Sequence, residues 1–394
     1  MKKSILFTAS ALALLASPVA AQQFTQAQLD WLNENYVPRT EIGKNGAVTH
    51  GKSGVRLKLS GQVNRAILFT DDGDETDHFF VDNDNSSTRV RFQGEGDVGD
   101  YTIFTNIEVQ FESNSTADVS QLDDTTGGAS FTERKLEVGV KGPIGKLSLG
   151  QGDMASNGTS EVDLSGTGVI GYSGIADFAG GILFRDETTG VLSGTTIGDV
   201  FTQFDGQSRR DRIRYDSPTL AGFTASTSFG EDDRWDAALR YAGEFGSIRV
   251  EGAAAYGSDN NSDEILNGSV SFLETNSGIS VTLAYGEEDL DVNPNNIDPQ
   301  FYYAKLGWQT NGLTSLGKTA FAIDYTQADE LDPDGSGALT GVDGEFTSYG
   351  IFVVQNIDAA GTELYAGVRN HEYDSPATNF DDILAAMVGA RVKF

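Results

Sequence analysis

The sequence predicts an all-β protein, a transmembrane antiparallel β-barrel of about 16 strands. Most of the chain consists of short segments in which apolar and polar residues alternate, the period of a strand with two different faces. In the clearest segment, Arg210, Arg212 and Arg214 share one face, and the other face carries Ile213 and Tyr215. Unpaired charges cannot line a dry core. A charged inner face with an apolar outer face therefore predicts a barrel that surrounds water inside a membrane.

Residues 1–21 have the three parts of a secretory signal peptide. Lys2 and Lys3 form the basic start, an apolar run follows, and Val19-Ala20-Ala21 is a small-residue cleavage site. The apolar run is shorter than the roughly 20 residues that a membrane-spanning helix needs. We therefore expect export of the chain and removal of this segment.

Composition excludes several classes of function. The chain has 58 acidic and 27 basic residues, so removal of Lys2 and Lys3 leaves 25 basic residues and a net charge of 25 − 58 = −33. Such a charge disfavours nucleic acid as a partner. The chain has no cysteine, which excludes disulfides, thiolate metal sites and thiol catalysis. Its three histidines are far apart, and neither H-E-x-x-H nor G-x-S-x-G occurs, so we expect no enzyme and no resident cofactor.

Residues 22–53 are predicted to form a periplasmic helix followed by a polar linker. Thr25 can cap the helix, Gln28 can complete a capping box, and Pro38 ends the pattern. A helix that associates between subunits and a loosely ordered extension both fit this segment, because one short helix is marginally stable by itself.

Residues 54–394 are predicted to form the barrel, with sixteen strands joined alternately by short turns and by loops, most of them longer and two of them short, near 231–233 and 258–263. The short turns lie near 97–100, 142–146, 217–222, 242–246, 275–278, 310–317 and 356–361. The loops lie near 71–86, 114–130, 153–208, 231–233, 258–263, 287–299, 327–345 and 373–381. Short turns on the periplasmic side and longer loops on the other side are typical of outer-membrane barrels.

Four stretches resemble the general porins of Gram-negative outer membranes. They are Ser87–Gly99, Val138–Gly150, Arg212–Pro218 and the terminal Phe394. The resemblance covers 54–394 and implies a homotrimer in the cell outer membrane, in contact with the lipid bilayer and lipopolysaccharide. It further implies that the third loop (153–208, "loop 3") folds into the lumen, and that small hydrophilic solutes and ions diffuse passively through a charged constriction. A substrate-selective channel and a structural or adhesive barrel are the alternatives.

The strand pattern places a set of basic residues on the lumen face of strands one, two, four and six. These are Arg56, Lys58, Arg89, Arg91, Lys135, Arg210, Arg212 and Arg214. Loop 3 carries Glu161, Asp163 and Asp177. If loop 3 lies in the lumen, a basic wall faces these carboxylates across water, and low-dielectric walls focus the resulting field. The alternative is that these charges only solvate the lumen.

One acidic loop has the oxygen spacing of a calcium site. Asp332, Asp334, Ser336, Thr340 and Asp343 stand where an EF-hand loop places its ligands. The flanking residues predict strands rather than helices, so a solvated acidic tip is the alternative. Ca²⁺ binding by these acidic loops is the one metal interaction that the sequence suggests.

Two glycine patterns imitate phosphate-binding loops. Gly312–Thr319 matches G-x-x-x-x-G-K-T, but a strand pattern follows it where the mechanism needs a helix. Gly166, Gly168 and Gly171 have the spacing of a dinucleotide loop, again without a following helix. We interpret the second pattern as the source of tight bends in loop 3.

Overall fold

The computed structural model describes residues 39–42, 48–51, 55–125, 130–259, 263–291, 299–329, 344–376 and 378–394. The signal peptide and the N-terminal helix lie outside these ranges, as does the whole calcium loop, so all three stay predictions. No helix within the described ranges is long and apolar enough to cross a membrane.

Strands make up nearly all of the regular structure of the residues described. In chain order they are β1 (Arg39–Ile42), β2 (Val48–Gly51), β3 (Val55–Asp71), β4 (Thr76–Asp82), β5 (Arg89–Val98), β6 (Tyr101–Glu112), β7 (Ser130–Gly142), β8 (Gly145–Asp153), β9 (Leu183–Arg185), β10 (Leu192–Thr196), β11 (Arg209–Asp216), β12 (Phe223–Gly230), β13 (Trp235–Phe245), β14 (Ile248–Ser258), β15 (Glu264–Glu274), β16 (Ile279–Asp289), β17 (Gln300–Thr310), β18 (Thr319–Asp329), β19 (Glu345–Ile357), β20 (Thr362–Asp374) and β21 (Ile383–Lys393). Within the described ranges, the helical pieces are α1 (Ala176–Ala179) and two 3₁₀ turns, Asp84–Ser86 and Asp358–Ala360.

Sixteen antiparallel strands close into a barrel, which confirms the predicted fold class. Each strand pairs with the next along the chain from β3 to β21, apart from the β9–β10 hairpin, and β4 and β5 together form the second strand. The last strand closes the cylinder by pairing with the first, from Leu384 opposite Asp71 to Lys393 opposite Gln62. Closure satisfies the backbone hydrogen bonds that hydrocarbon cannot. Before the barrel, β1 and β2 form a hairpin that continues onto β3.

The predicted alternation is visible in the exposure of each strand. On β17, Tyr302, Leu306 and Trp308 are exposed on the outside, whereas Phe301 and Lys305 are buried inside. Outward aromatic residues gather near the two strand ends, where membrane interfaces favour them. Tyr285 opposite Tyr302 and Tyr325 opposite Tyr349 lie towards the long loops, and Trp308 opposite Phe321 lies towards the short turns.

The prediction of a long first loop at 71–86 was wrong. Only four residues separate β3 from β4, because the Asp72 carboxylate accepts hydrogen bonds from the backbone of Asp74 at 3.3 Å and Glu75 at 3.0 Å and tightens the turn. The chain leaves the barrel wall later, between Asp82 and Arg89, and enters the lumen there. The acidic composition of residues 71–77 is typical of a loop. The side chains of Phe79 and Val81, however, are buried on the inner face, and this burial stabilises the segment as a strand.

Loop 3, residues 154–208 in the structure, folds into the lumen as expected. Its apolar residues form one core with the inner wall of β16–β21 and β3. Phe178 packs against Phe352 with ring centroids 6.2 Å apart, and Phe201 packs against Phe301 at 6.1 Å. Polar contacts fix the start of the loop, including a hydrogen bond of 2.8 Å from Arg240 to the carbonyl of Ala155. The loop therefore fills one side of the barrel and leaves the other side open.

We expect Phe352→Ala to loosen loop 3. The ring has almost no exposure and lies at the centre of the core between loop and wall. Removing such a ring costs about 3–5 kcal/mol in packing. The urea midpoint of barrel unfolding in lipid vesicles should fall, and single-channel current noise should rise. Phe131→Ala, which removes an exposed ring from the outer surface, is the control. An unchanged midpoint and unchanged noise in Phe352→Ala would contradict the packing described here.

Candidate functional site

An open cavity of about 750 Å³ lies between loop 3 and the wall formed by β5, β6, β7 and β11. Its lining is strongly charged and mixed in sign. The carboxylates are Asp84, Glu112, Asp118, Glu133, Glu161, Asp163, Asp177 and Asp205, and the cations are Arg89, Arg134 and Arg209. Loop 3 supplies Glu161, Asp163, Asp177 and Asp205, whereas the wall strands supply the three arginines together with Glu112 and Glu133.

The wall arginines cluster around one buried carboxylate. Glu108 is 1% exposed and lies 2.9 Å from Arg134 and 3.7 Å from Arg89, and Arg91 donates to it from Nε at 2.5 Å. One carboxylate thus offsets three guanidinium groups. Arg391 lies close by, because it and Arg89 both donate to the Ser86 hydroxyl, but its own charge is paired with Glu363 at 2.5 Å. Around Glu108 itself, positive charge is in excess.

Arg134 reaches the lumen because of a β-bulge. Glu108 pairs with Lys135, but the next residue, Val109, pairs with Glu133, so Arg134 is the extra residue on its strand. A bulge breaks the period of two. Lys135, which the sequence pattern selects, instead forms a close ion pair with Asp153. Nothing in the local sequence marks the bulge, and so sequence reasoning missed Arg134.

Carboxylates of loop 3 form the opposite face. Glu161 accepts a hydrogen bond from Gln203 at 2.8 Å, and Asp205 accepts one from the backbone of Gly158 at 2.7 Å. Tyr172 donates a close hydrogen bond to Asp177. Asp205 was missed in the sequence because it lies near the far end of the loop and returns to the site only through the fold.

Burial, together with mutual repulsion, changes the protonation of these groups. Burial raises the pKa of Glu161 to about 8, and the nearby charges of Asp205 and Asp177 contribute to the rise. Burial also raises the pKa of Asp177 to about 7 and that of Asp205 to about 6. The acidic face therefore loses its protons across neutral pH rather than well below it.

The segment between β4 and β5, residues 83–88 (the "excursion"), adds to the acidic lining of the cavity. Residues 83–88 leave the wall and place Asp84 in the cavity lining, near Glu112 at the end of β6. Asn85 of this excursion donates to the carbonyl of Asp177 at 3.2 Å, so the excursion touches loop 3. A run of Asn, Asp and Ser residues between two strand patterns is the signal that could have revealed it.

Two arginines of the opening sequence pattern bind the base of loop 3 instead of facing open water. Arg212 is 5% exposed and donates to Glu137 at 2.6 Å and to the carbonyl of Asp153 at 2.9 Å. Arg214 is held by Asp216 at 2.7 Å and donates to the carbonyl of Met154 at 2.8 Å. These arginines hold the first residues of loop 3 against the wall.

The other predicted basic residues lie outside the cavity lining. Arg56 pairs with Asp97 at 2.6 Å and Glu95 at 3.2 Å near the short turns, where Lys58 is also exposed. Arg210 packs against Gly230, and its neighbour Arg209 lines the cavity in its place.

The part of the chain that the structure describes contains no cluster of three or more Asp, Glu, His or Cys side chains arranged to hold a metal ion. Asp332, Asp334, Ser336, Thr340 and Asp343 lie outside that part. Calcium binding therefore stays a prediction.

A closed barrel with an apolar outside and an open charged passage is a transmembrane channel. The sequence model of the Gram-negative porin family matches residues 8–376, and the chain belongs to this family. The expected porin resemblance is thus confirmed, and the family is one of outer-membrane channels. No curated protein sequence matches the chain.

Solved porin structures share this fold at low sequence identity. An anion-selective porin from Comamonas acidovorans has a TM-score of 0.58 and 15% identity, covering 86% of this chain and 100% of its own. A trimer form of OmpT, an outer membrane protein of Vibrio cholerae, has a TM-score of 0.53 and 16% identity, with coverage of 86% and 100%. OmpF of Salmonella typhi, in complex with daunomycin, has a TM-score of 0.51 and 15% identity, with coverage of 86% and 98%.

We expect the ion selectivity of the channel to depend on pH. A raised pKa keeps a carboxyl protonated to higher pH, so the loop 3 face gains negative charge between about pH 5 and pH 9, which brackets these pKa values. The ratio of cation to anion permeability, obtained from reversal potentials in a salt gradient, should rise several-fold over this range. Glu161→Gln should flatten the profile. Asp186→Asn removes a carboxylate of lowered pKa outside the cavity lining and should leave the profile intact. A flat wild-type profile would contradict the assignment.

Proposed function

We propose that this channel passes small hydrophilic solutes and ions by passive diffusion and prefers cations. The observation that carries the proposal is the open cavity beside loop 3, whose lining bears eight carboxylates and three arginines. A passage between low-dielectric walls concentrates ions of the sign opposite to its net charge. Because no built site for a particular substrate is needed for this behaviour, selection would rest on size and charge.

The charges of the lining do not all act with equal strength. Arg89 and Arg134 already share Glu108, so their field in the passage is partly cancelled. Lys305 pairs with Asp163 from outside the cavity and partly cancels that carboxylate too. The remaining loop 3 carboxylates leave the passage negative, most strongly at alkaline pH.

Assembly and export follow the family. A homotrimer is supported by the trimer form of OmpT among the similar structures. Residues 1–21 would direct export and be removed, and the exposed apolar outer surface would contact bilayer lipid and lipopolysaccharide.

An anion-preferring channel is the second candidate. The arginines around Glu108 favour it, because three cations share one carboxylate there. The most similar of the three structures named above is described as anion-selective. The two candidates predict reversal potentials of opposite sign in the same salt gradient.

We expect two charge-removing double variants to shift selectivity in opposite directions. Glu161→Gln with Asp205→Asn should lower the cation to anion permeability ratio. Arg89→Gln with Arg134→Gln should raise it. Each charge removed should change the ratio roughly two- to threefold, the Coulomb effect on cation and anion together of a unit charge about 7 Å away in water that is screened by about 0.1 M salt.

The measurement is the reversal potential of single channels in planar bilayers at about pH 9, above the pKa values of the loop 3 carboxyls. Arg56→Gln is the control, because Arg56 is paired near the short turns and lies outside the cavity lining. A wild-type channel that prefers anions would support the second candidate, and the absence of conductance would contradict both.

A further inference from the structure

Lys305 is a buried cation on the inner wall behind loop 3. It lies on β17, its side chain has 0% exposure, and its ring neighbour is Phe352, whose centroid is 5.9 Å from the ammonium. Burial of an ammonium in apolar surroundings is costly unless partners compensate its charge. The structure supplies two partners, and both belong to loop 3.

The first partner is the carboxylate of Asp163. Its Oδ2 atom lies 2.7 Å from the Lys305 Nζ, and the hydroxyl of Ser165 donates to the same oxygen at 2.9 Å. Burial opposes ionisation of this group, but the Lys305 ammonium outweighs it and lowers the pKa of Asp163. Asp163 also lines the channel cavity, whereas Lys305 does not. One carboxylate thus has the passage on one side and a hidden cation on the other.

The second partner is the carbonyl of Gly171, which accepts a hydrogen bond from Nζ at 2.6 Å. Lys305 therefore holds two points of loop 3 that are eight residues apart in sequence. The segment between them contains the glycine pattern noted in the sequence. Gly166 has a φ of +82°, and a Cβ at Gly171 would lie 2.6 Å from the Phe352 ring. Glycine lets this segment bend sharply and approach the wall closely enough for the lysine to reach it.

We infer that Lys305 is a positioning residue that sets ion selectivity from behind loop 3. It offsets the charge of Asp163, which faces the passage, and it holds residues 163–171 at the edge of the cavity. Neither effect requires contact between Lys305 and a permeating ion. This inference rests on the proposed function as a diffusion channel. It identifies Lys305 as one of the groups that set the net charge along the passage.

The test compares a single variant with a double variant in planar bilayers. Lys305→Met keeps the length of the side chain and removes its charge, which leaves Asp163 as an uncompensated negative charge at the passage. The cation to anion permeability ratio should rise roughly two- to threefold, the effect on cation and anion together of one unit charge about 7 Å from the ion path in water screened by about 0.1 M salt. Lys305→Met with Asp163→Asn removes both charges, and its ratio should return to the wild-type value.

A purely structural lysine would give another result. Loosening of loop 3 alone would shift the ratio equally in the single and double variants, and that outcome would overturn the inference, as would an unchanged ratio in Lys305→Met. Lys318→Met, which removes an exposed lysine from the turn after β17, is the matched control and should leave the ratio unchanged.

Folding of each variant is checked by the heat-dependent shift of barrel mobility on detergent gels. If Lys305→Met does not fold, Asp163→Asn decides the question. Asp163→Asn leaves the charge of Lys305 unbalanced, so the cation to anion permeability ratio should fall by a similar factor. An unchanged ratio would contradict the inference. Wild-type channels are recorded first. A silent wild type would contradict the proposed function, whereas conducting variants with equal ratios would contradict only the role of Lys305.

Discussion

The apolar contact between loop 3 and one half of the inner wall is the interaction on which the rest of the molecule depends. A sixteen-stranded barrel is wider than its own inward side chains can fill. Here Phe178 and Phe201 of loop 3 fill one side by packing against Phe352 and Phe301 of the wall. The hydrophobic effect that stabilises a soluble domain thus acts inside the barrel. Its result is a single open passage along the opposite wall, where the charges are placed.

Charges behind loop 3 and charges facing the passage have different physical roles. Arg369 and Asp324 are fully buried 2.7 Å apart in the core behind the loop, and removing one partner of such a pair is strongly destabilising. This pair joins β20 to β18, and the Arg369 guanidinium lies 5.9 Å from the centroid of the Phe178 ring of loop 3. Carboxylates such as Glu161 line the open passage, so they can set selectivity. Asp163 belongs to both groups, because it forms an ion pair with the buried Lys305 and also lines the passage.

The barrel could be predicted from the sequence, but the positions of many side chains in its lumen could not. The period of two, the turns and the closing strand are local features, so they could be predicted before the structure was known. Arg212 could be placed on an inward face, but its pairing with Glu137 connects strands 75 residues apart and cannot be derived from spacing. The bulge that turns Arg134 inward shifts the period by one residue without any marking residue. The excursion at 83–88 was hidden because acidic residues before β4 looked like loop.

Cysteine accessibility tests the central claim, that loop 3 fills one side of the lumen and ions pass along the other. The chain has no cysteine, so a single introduced thiol reports one position. Thr132 lines the cavity, and Ala322 is 4% exposed on the inner wall behind loop 3. We predict that a cationic methanethiosulfonate reagent lowers the current through Thr132→Cys channels and leaves Ala322→Cys channels unmodified. Equally fast modification of both thiols would contradict it.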